Sequence, residues 1–193
     1  MSYPNAQQRI DAHLQEGKQL GKVYHWTSSN GASGIGSDNG FRSNAHDART
    51  RGAVLSVTRD KDTSFWPYDE VDWRFTLDGD KITQHHKVGP YSDSDTGHTR
   101  ASGRSEAEEE IYIPRGKKLG PLKKYVTKVE WFGPFSLADA KEVYHITDDI
   151  GDIMAGDEYD WDYDFIEKAQ WAYNAMSALE GRGLRVVDRW GQK

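Results

Sequence analysis

Three short stretches carry side chains that could do chemistry together: YHWTS at residues 24–28, LSVTRD at 55–60 and SEAEEEIYIP at 105–114. The third is the most unusual. Glu106, Glu108, Glu109 and Glu110 crowd four carboxylates into five positions, and the chain then turns apolar and β-prone. In a strand that begins near Glu110, Glu108 and Glu110 point to one face and Glu109 to the other. Carboxylates that share a face repel one another and create a place where positive charge is welcome. A reaction through an oxocarbenium-like centre, such as cleavage of a glycosidic bond, needs such a place. The plainer alternative is a solvated loop that abuts a strand.

The other two stretches supply different groups. In a strand, His25 and Thr27 share one face while Tyr24 and Trp26 share the other, so a polar side faces away from an aromatic one. Taken alone, a histidine there is more often a hydrogen-bonded structural residue. In LSVTRD, Ser56 and Thr58 alternate with Leu55 and Val57. Small hydroxyls on a mostly buried strand need partners, and Arg59 at the strand end suits an anionic group. A strand whose hydroxyls serve a neighbouring loop explains the same pattern.

The elements that must position these groups follow from periodicity and turn chemistry. An amphipathic helix is expected over 5–17, with strands at 22–28, 52–60, 71–82, 110–114 and 124–133. Val71, Trp73, Phe75 and Leu77 should share one face. The Gly- and Ser-rich stretch after the first strand reads as part short helix, part loop, and 90–105 reads as a long polar loop. Helices are expected at 136–146, with Ser136 as N-cap, and at 164–183, and a closing strand at 184–190. This is an α+β pattern with helices at both ends. No linker divides it, so 1–193 reads as a single domain.

Composition narrows the classes. The 193 residues carry 25 basic and 31 acidic side chains, a net charge of -6, which argues against a protein that coats nucleic acid through its phosphates. Cysteine is absent, removing disulfides, thiol nucleophiles and thiolate metal sites together. No apolar run approaches the roughly 18–20 residues that span a bilayer, and the N-terminus has no apolar segment of the signal-peptide kind. No membrane association and a cytoplasmic location are the expectation. QHHKV puts His85 and His86 on opposite faces of any strand, a poor start for a metal hydrolase, so no metal site is expected.

With the three stretches in view, the sequence resembles the ADP-ribosyltransferase superfamily, whose members cleave the nicotinamide–ribose bond of NAD and pass ADP-ribose to an acceptor. YHWTS looks like its first strand motif in the histidine form, LSVTRD like its hydroxyl strand, and EAEEEIYIP like its E-x-E signature. The combination, with RFTLDGDKI between and PLKKYV after, also looks like small phage-encoded proteins of this kind. The middle motif departs from the common Ser-Thr-Ser, and His25 stands where one subgroup has Arg. The resemblance covers roughly residues 20–132 and implies a split β-sheet core there, with 136–193 as a C-terminal helical extension with a closing strand.

The resemblance implies a role for each matching residue. Glu110 would stabilise the developing cation, Glu108 would orient or deprotonate the acceptor, and Ser56 would fix the rotamer of the catalytic glutamate. His25, Trp26, Thr27, Thr58 and Arg59 would bind NAD, which is a substrate here, with Arg59 and Arg100 or Arg104 near its pyrophosphate. The glutamate alignment is open by one residue between Glu109 and Glu110, and strand alternation favours the Glu108/Glu110 pair. The acceptor would be a host protein or nucleic acid. A non-catalytic phage protein that binds and inhibits a host protein is the rival reading. The acidic, aromatic stretch 148–165 would be its interface, since Trp and Tyr are favoured anchors.

Overall fold

The computed structural model describes residues 20–43, 54–59, 71–90, 108–114, 116–149 and 163–191. The expected helix at 5–17, the polar loop after Pro90, and the central part of the acidic, aromatic stretch lie outside the described residues. So do Glu106, Arg100 and Arg104.

The described strands are β1 (Lys22–Thr27), β2 (Phe41–Arg42), β3 (Val54–Thr58), β4 (Trp73–Asp78), β5 (Val88–Pro90), β6 (Glu108–Tyr112), β7 (Lys118–Leu119), β8 (Val126–Trp131) and β9 (Val186–Asp188). The helices are α1 (Ser29–Asp38), α2 (Gly79–Thr83), α3 (Leu122–Tyr125), α4 (Leu137–Asp149) and α5 (Tyr163–Gly181). Seven strands form a mostly antiparallel sheet in the order β5-β6-β3-β1-β4-β8-β9, with β8 and β9 parallel, and β2 pairs with β7. The α+β class expected from the sequence therefore holds. The described residues fall into two compact units: those within 1–25, 39–65 and 75–127, and those within 26–38, 66–74 and 128–193.

In the first unit, Val23, Leu55, Val57, Phe75, Leu77 and Ile111 are buried, together with Phe41 and Leu119 of the small β2/β7 pair. The 71–82 stretch does not remain a strand. Asp78 caps a helical turn, its Oδ1 accepting from Lys81 N at 3.1 Å, so the strand stops there and α2 follows. Gly79 permits this turn because a Cβ there would lie 2.5 Å from the Gly21 carbonyl oxygen. His85 and His86 consequently sit in the turn after α2 rather than on a strand, with both amides donating to the Ile82 carbonyl.

In the second unit, α1 lies against α5 through small residues. Ala32, Ala172, Ala175 and Leu179 are fully buried, and a Cβ on Gly36 would lie 2.9 Å from Ala178. Arg182 closes the end of α1 by donating to the carbonyls of Gly36 at 2.9 Å and Ser37 at 2.7 Å, where a cation also suits the helix dipole. The start of α4 is capped as expected. Ser136 Oγ accepts from Asp139 N at 3.1 Å, Asp139 Oδ2 accepts from Ser136 N at 3.4 Å, and Asp188 takes the Leu137 amide at 2.7 Å. Trp73, Trp131 and Phe135 form its aromatic core, ring centroids 5.1 and 5.4 Å apart in turn.

Candidate functional site

The three motif strands are neighbours in the sheet, in the order β6-β3-β1. Antiparallel register sets Ser56 opposite Glu110, Val57 opposite Glu109, Thr58 opposite Glu108, and Tyr24 opposite Thr58. Residues directly opposite share a face. One face thus takes Tyr24, Ser56, Thr58, Glu110 and the register position of Glu108. The other takes His25, Val57 and Glu109. Of the residues singled out in the sequence, Ser56, Thr58 and Glu110 share the face that holds the register position of Glu108, whereas His25 lies across the sheet from them.

The strand starts at Glu108, two residues before the expected start, so the glutamate run belongs to the sheet itself. Glu109 and Glu110 are both buried. Glu109, 2% exposed at its side chain, is met by Arg59 Nη2 at 3.0 Å, while Arg59 is 49% exposed. A carboxylate removed from water is costly without a charged partner, and this guanidinium supplies one. Arg59 therefore touches a carboxylate of this site.

His25 is half-buried, its ring edge-on to Phe41 with centroids 5.4 Å apart and tilted against Phe75 at 6.5 Å. Its Nδ1 is 3.0 Å from the Ser56 carbonyl oxygen. A carbonyl only accepts, so Nδ1 carries the hydrogen and Nε2 is left as an acceptor in the neutral ring. Burial lowers the pKa of this imidazole by more than the Ser56 carbonyl raises it, which favours the neutral ring. The arrangement offers a neutral acceptor nitrogen and a buried carboxylate on the same side of one sheet, with a cation at its edge.

Trp26 and Thr27 belong to the second unit. Thr27 Oγ1 occupies the space a Cβ on Gly31 would need, only 1.9 Å from it. The Trp26 ring packs on Phe132 at 5.4 Å, and the Arg74 guanidinium lies over both rings, 5.2 Å from Trp26 and 4.6 Å from Phe132. Trp26 Nε1 is buried with no hydrogen-bond partner among the described residues.

Arg74 leads to a cluster that the sequence analysis did not find. Its Nε and Nη2 donate to Glu130 Oε2 at 3.1 and 2.7 Å, while Lys128 Nζ and Arg189 Nε reach Oε1 at 2.6 and 3.0 Å. Burial pushes the Glu130 carboxyl up, but the bonds from Lys128 and Arg74, the Arg74 charge and the Arg189 bond outweigh it and hold the pKa at about 2. The available signal was a lone charge inside an aromatic run, WRF and VEW. Nothing in either run names the partner 56 residues away.

Compared with family models, curated proteins and solved structures, the chain matches none of them. Among the described residues, no helix is long and apolar enough to cross a membrane, and no three His, Asp or Glu side chains are grouped to hold a metal ion.

Proposed function

We propose that this chain is an NAD-dependent mono-ADP-ribosyltransferase of the phage-encoded kind its motifs resemble, modifying a host protein or nucleic acid. One observation carries the reading: the histidine, hydroxyl and glutamate strands, distant in sequence, are consecutive neighbours in the sheet. That adjacency is what a split sheet built around a nicotinamide–ribose bond requires, and the reading extends to an ADP-ribosyltransferase-like core.

The chemistry follows from the side chains. His25 steadies the hydroxyl strand from the opposite face, its Nδ1 donating to the Ser56 carbonyl oxygen at 3.0 Å. A carboxylate of the buried Glu109/Glu110 pair stabilises positive charge at the anomeric carbon as its bond to the nicotinamide nitrogen breaks. The acceptor nucleophile then adds to that carbon and gives up its proton, for which Glu108 is the base at the strand's start. Ser56 supports the glutamate strand, and Arg59 supplies positive charge where NAD brings a diphosphate.

Incubation with NAD labelled in its adenylate tests this reading. Free nicotinamide is followed alongside label transfer into host lysate, with the Glu109→Gln/Glu110→Gln double variant in parallel. Release that vanishes in the variant is expected. Absence of turnover together with absence of NAD binding by calorimetry would sink the reading.

A further inference from the structure

We propose that the lysines around β7 and α3, with Lys87 beside them, form a surface that binds the phosphate backbone of a nucleic acid. The inference concerns binding alone and holds whether or not the chain turns over NAD. Between Glu110 and Glu130 the sequence has no acidic residue, although the chain as a whole carries a net charge of -6. Exposed charges more than about 10 Å apart are screened from one another at about 0.1 M salt, so a local basic surface works within an acidic chain.

The fold of the first unit brings these cations together and turns them outward. Leu119 of β7 and Leu122 and Tyr125 of α3 are buried, which leaves Lys117, Lys118, Lys123 and Lys124 exposed. The start of α3 is fixed by the Leu122 amide, which donates to Asn39 Oδ1 at 3.1 Å. Helix α2 packs against α3. The His86 ring meets Tyr125 edge-on with centroids 6.0 Å apart, and Lys124 Nζ lies 5.0 Å from the same Tyr125 ring. Lys87 follows His86, its carbonyl accepting from the Tyr112 amide at 2.9 Å. Arg42 is exposed directly opposite Lys118 in the β2/β7 pair. Burial lowers the pKa of His86, and nearby His85 and Lys124 lower it further against a bond to the Tyr112 backbone, as crowded cations do. Among the described residues, no carboxylate pairs with Lys87, Lys117, Lys123 or Lys124.

The chemistry of the surface selects the partner. Protein interfaces are depleted in lysine and anchored by aromatic residues, and binding to a membrane surface needs apolar side chains that insert. The exposed large apolar side chains among the described residues, Ile146, Trp171 and Trp190, all belong to the other unit. Protein–DNA interfaces are by contrast strongly positive, and a lysine ammonium serves phosphate as a point charge.

The test follows the fluorescence anisotropy of a labelled short DNA duplex, and of the RNA duplex of the same sequence, with the full chain and no NAD. Neutralising about three phosphates weakens binding by about 40-fold between about 50 and about 200 mM salt, and the native chain should lose at least that much. The triple variant Lys117→Gln/Lys123→Gln/Lys124→Gln should reduce the slope of log affinity against log salt by about 3. Lys168→Gln, exposed on α5 of the other unit, should leave the slope as it is. Salt-sensitive binding of either duplex supports the proposal, and the tighter of the two identifies the nucleic acid. No binding at low salt, salt-insensitive binding, or native-like binding by the triple variant overturns it. Tighter binding of polyglutamate, or of phosphatidylserine–phosphatidylcholine vesicles, overturns it in favour of an acidic protein or a membrane. If the triple variant does not fold, acetylation of the native chain decides: Lys117, Lys123 and Lys124 modified equally fast with and without the duplexes overturn the proposal.

Discussion

Acidification should dismantle the Glu130 cluster in a measurable and separable way. Glu130 has an ordinary value of 4.5 and is held at about 2 in the folded chain. A carboxylate depressed by folding stabilises the fold above its unfolded pKa, and the contribution is lost as pH falls through the folded value. The gap between the two values corresponds to about 3 kcal/mol in full. Of this, about 2 kcal/mol should be gone near pH 3, and nearly all of it below about pH 2. Glu130→Gln keeps the shape but removes the charge facing buried Arg74. Breaking a buried pair from one side costs about 3–5 kcal/mol at neutral pH. Urea unfolding of both proteins, followed by tryptophan fluorescence near pH 7 and near pH 3, isolates the term, because every other titrating group is common to the two. The variant's deficit should shrink by about 2 kcal/mol on acidification. A deficit that stays constant would refute the reasoning, since the carboxylate would then have the same pKa folded and unfolded.

Three further outcomes are expected. Gly36→Ala should destabilise by about 1–3 kcal/mol despite its better helix propensity, because the new Cβ would lie 2.9 Å from the Ala178 carbonyl carbon and Cβ. Gly34→Ala in the same helix meets nothing within 4 Å, and should instead gain about 0.5–1 kcal/mol; thermal unfolding of the two variants compares them directly. Burial lowers the pKa of His25 from 6.5, so the unfolded chain takes up a proton first as pH falls. Native stability should therefore drop below about pH 6.5 relative to His25→Gln, until the folded value is passed. Urea midpoints at a few pH values check this, and a native chain that gains on the variant over that range would contradict it.

Much of the secondary structure was legible because it rests on local pattern. Trp73, Phe75 and Leu77 alternate and each is buried, although Val71 precedes the strand and the intervening Arg74 and Thr76 are buried as well, and Ala169, Ala172 and Leu179 recur at helical spacing and are buried on α5. Ser136 announced the start of α4 and caps it, with Asp139 returning a bond to the Ser136 amide. Where the pattern was continued too far, a local polar group intervened, as Asp78 does in ending β4. The short strands β2, β5 and β7 carry two or three residues each and exist through their pairing, which no local window contains.

The candidate site divides in the same way. Residue types settled on their own that an imidazole, two hydroxyls and a run of carboxylates stand at strand edges, since composition and alternation are local. Which glutamate joins which partner was left to the tertiary structure. A slip of one residue in register exchanges the faces of a whole strand, and in Glu108-Glu109-Glu110 a slip replaces one carboxylate with another, so the sequence has no preference to express. The pairing of β6 with β3 and of β3 with β1 removes that degeneracy, setting Glu109 beside Arg59 on the face of His25 and Glu110 beside Ser56 on the other. The same holds for Arg74 and Glu130, whose mutual burial depends on a contact across 56 residues of chain.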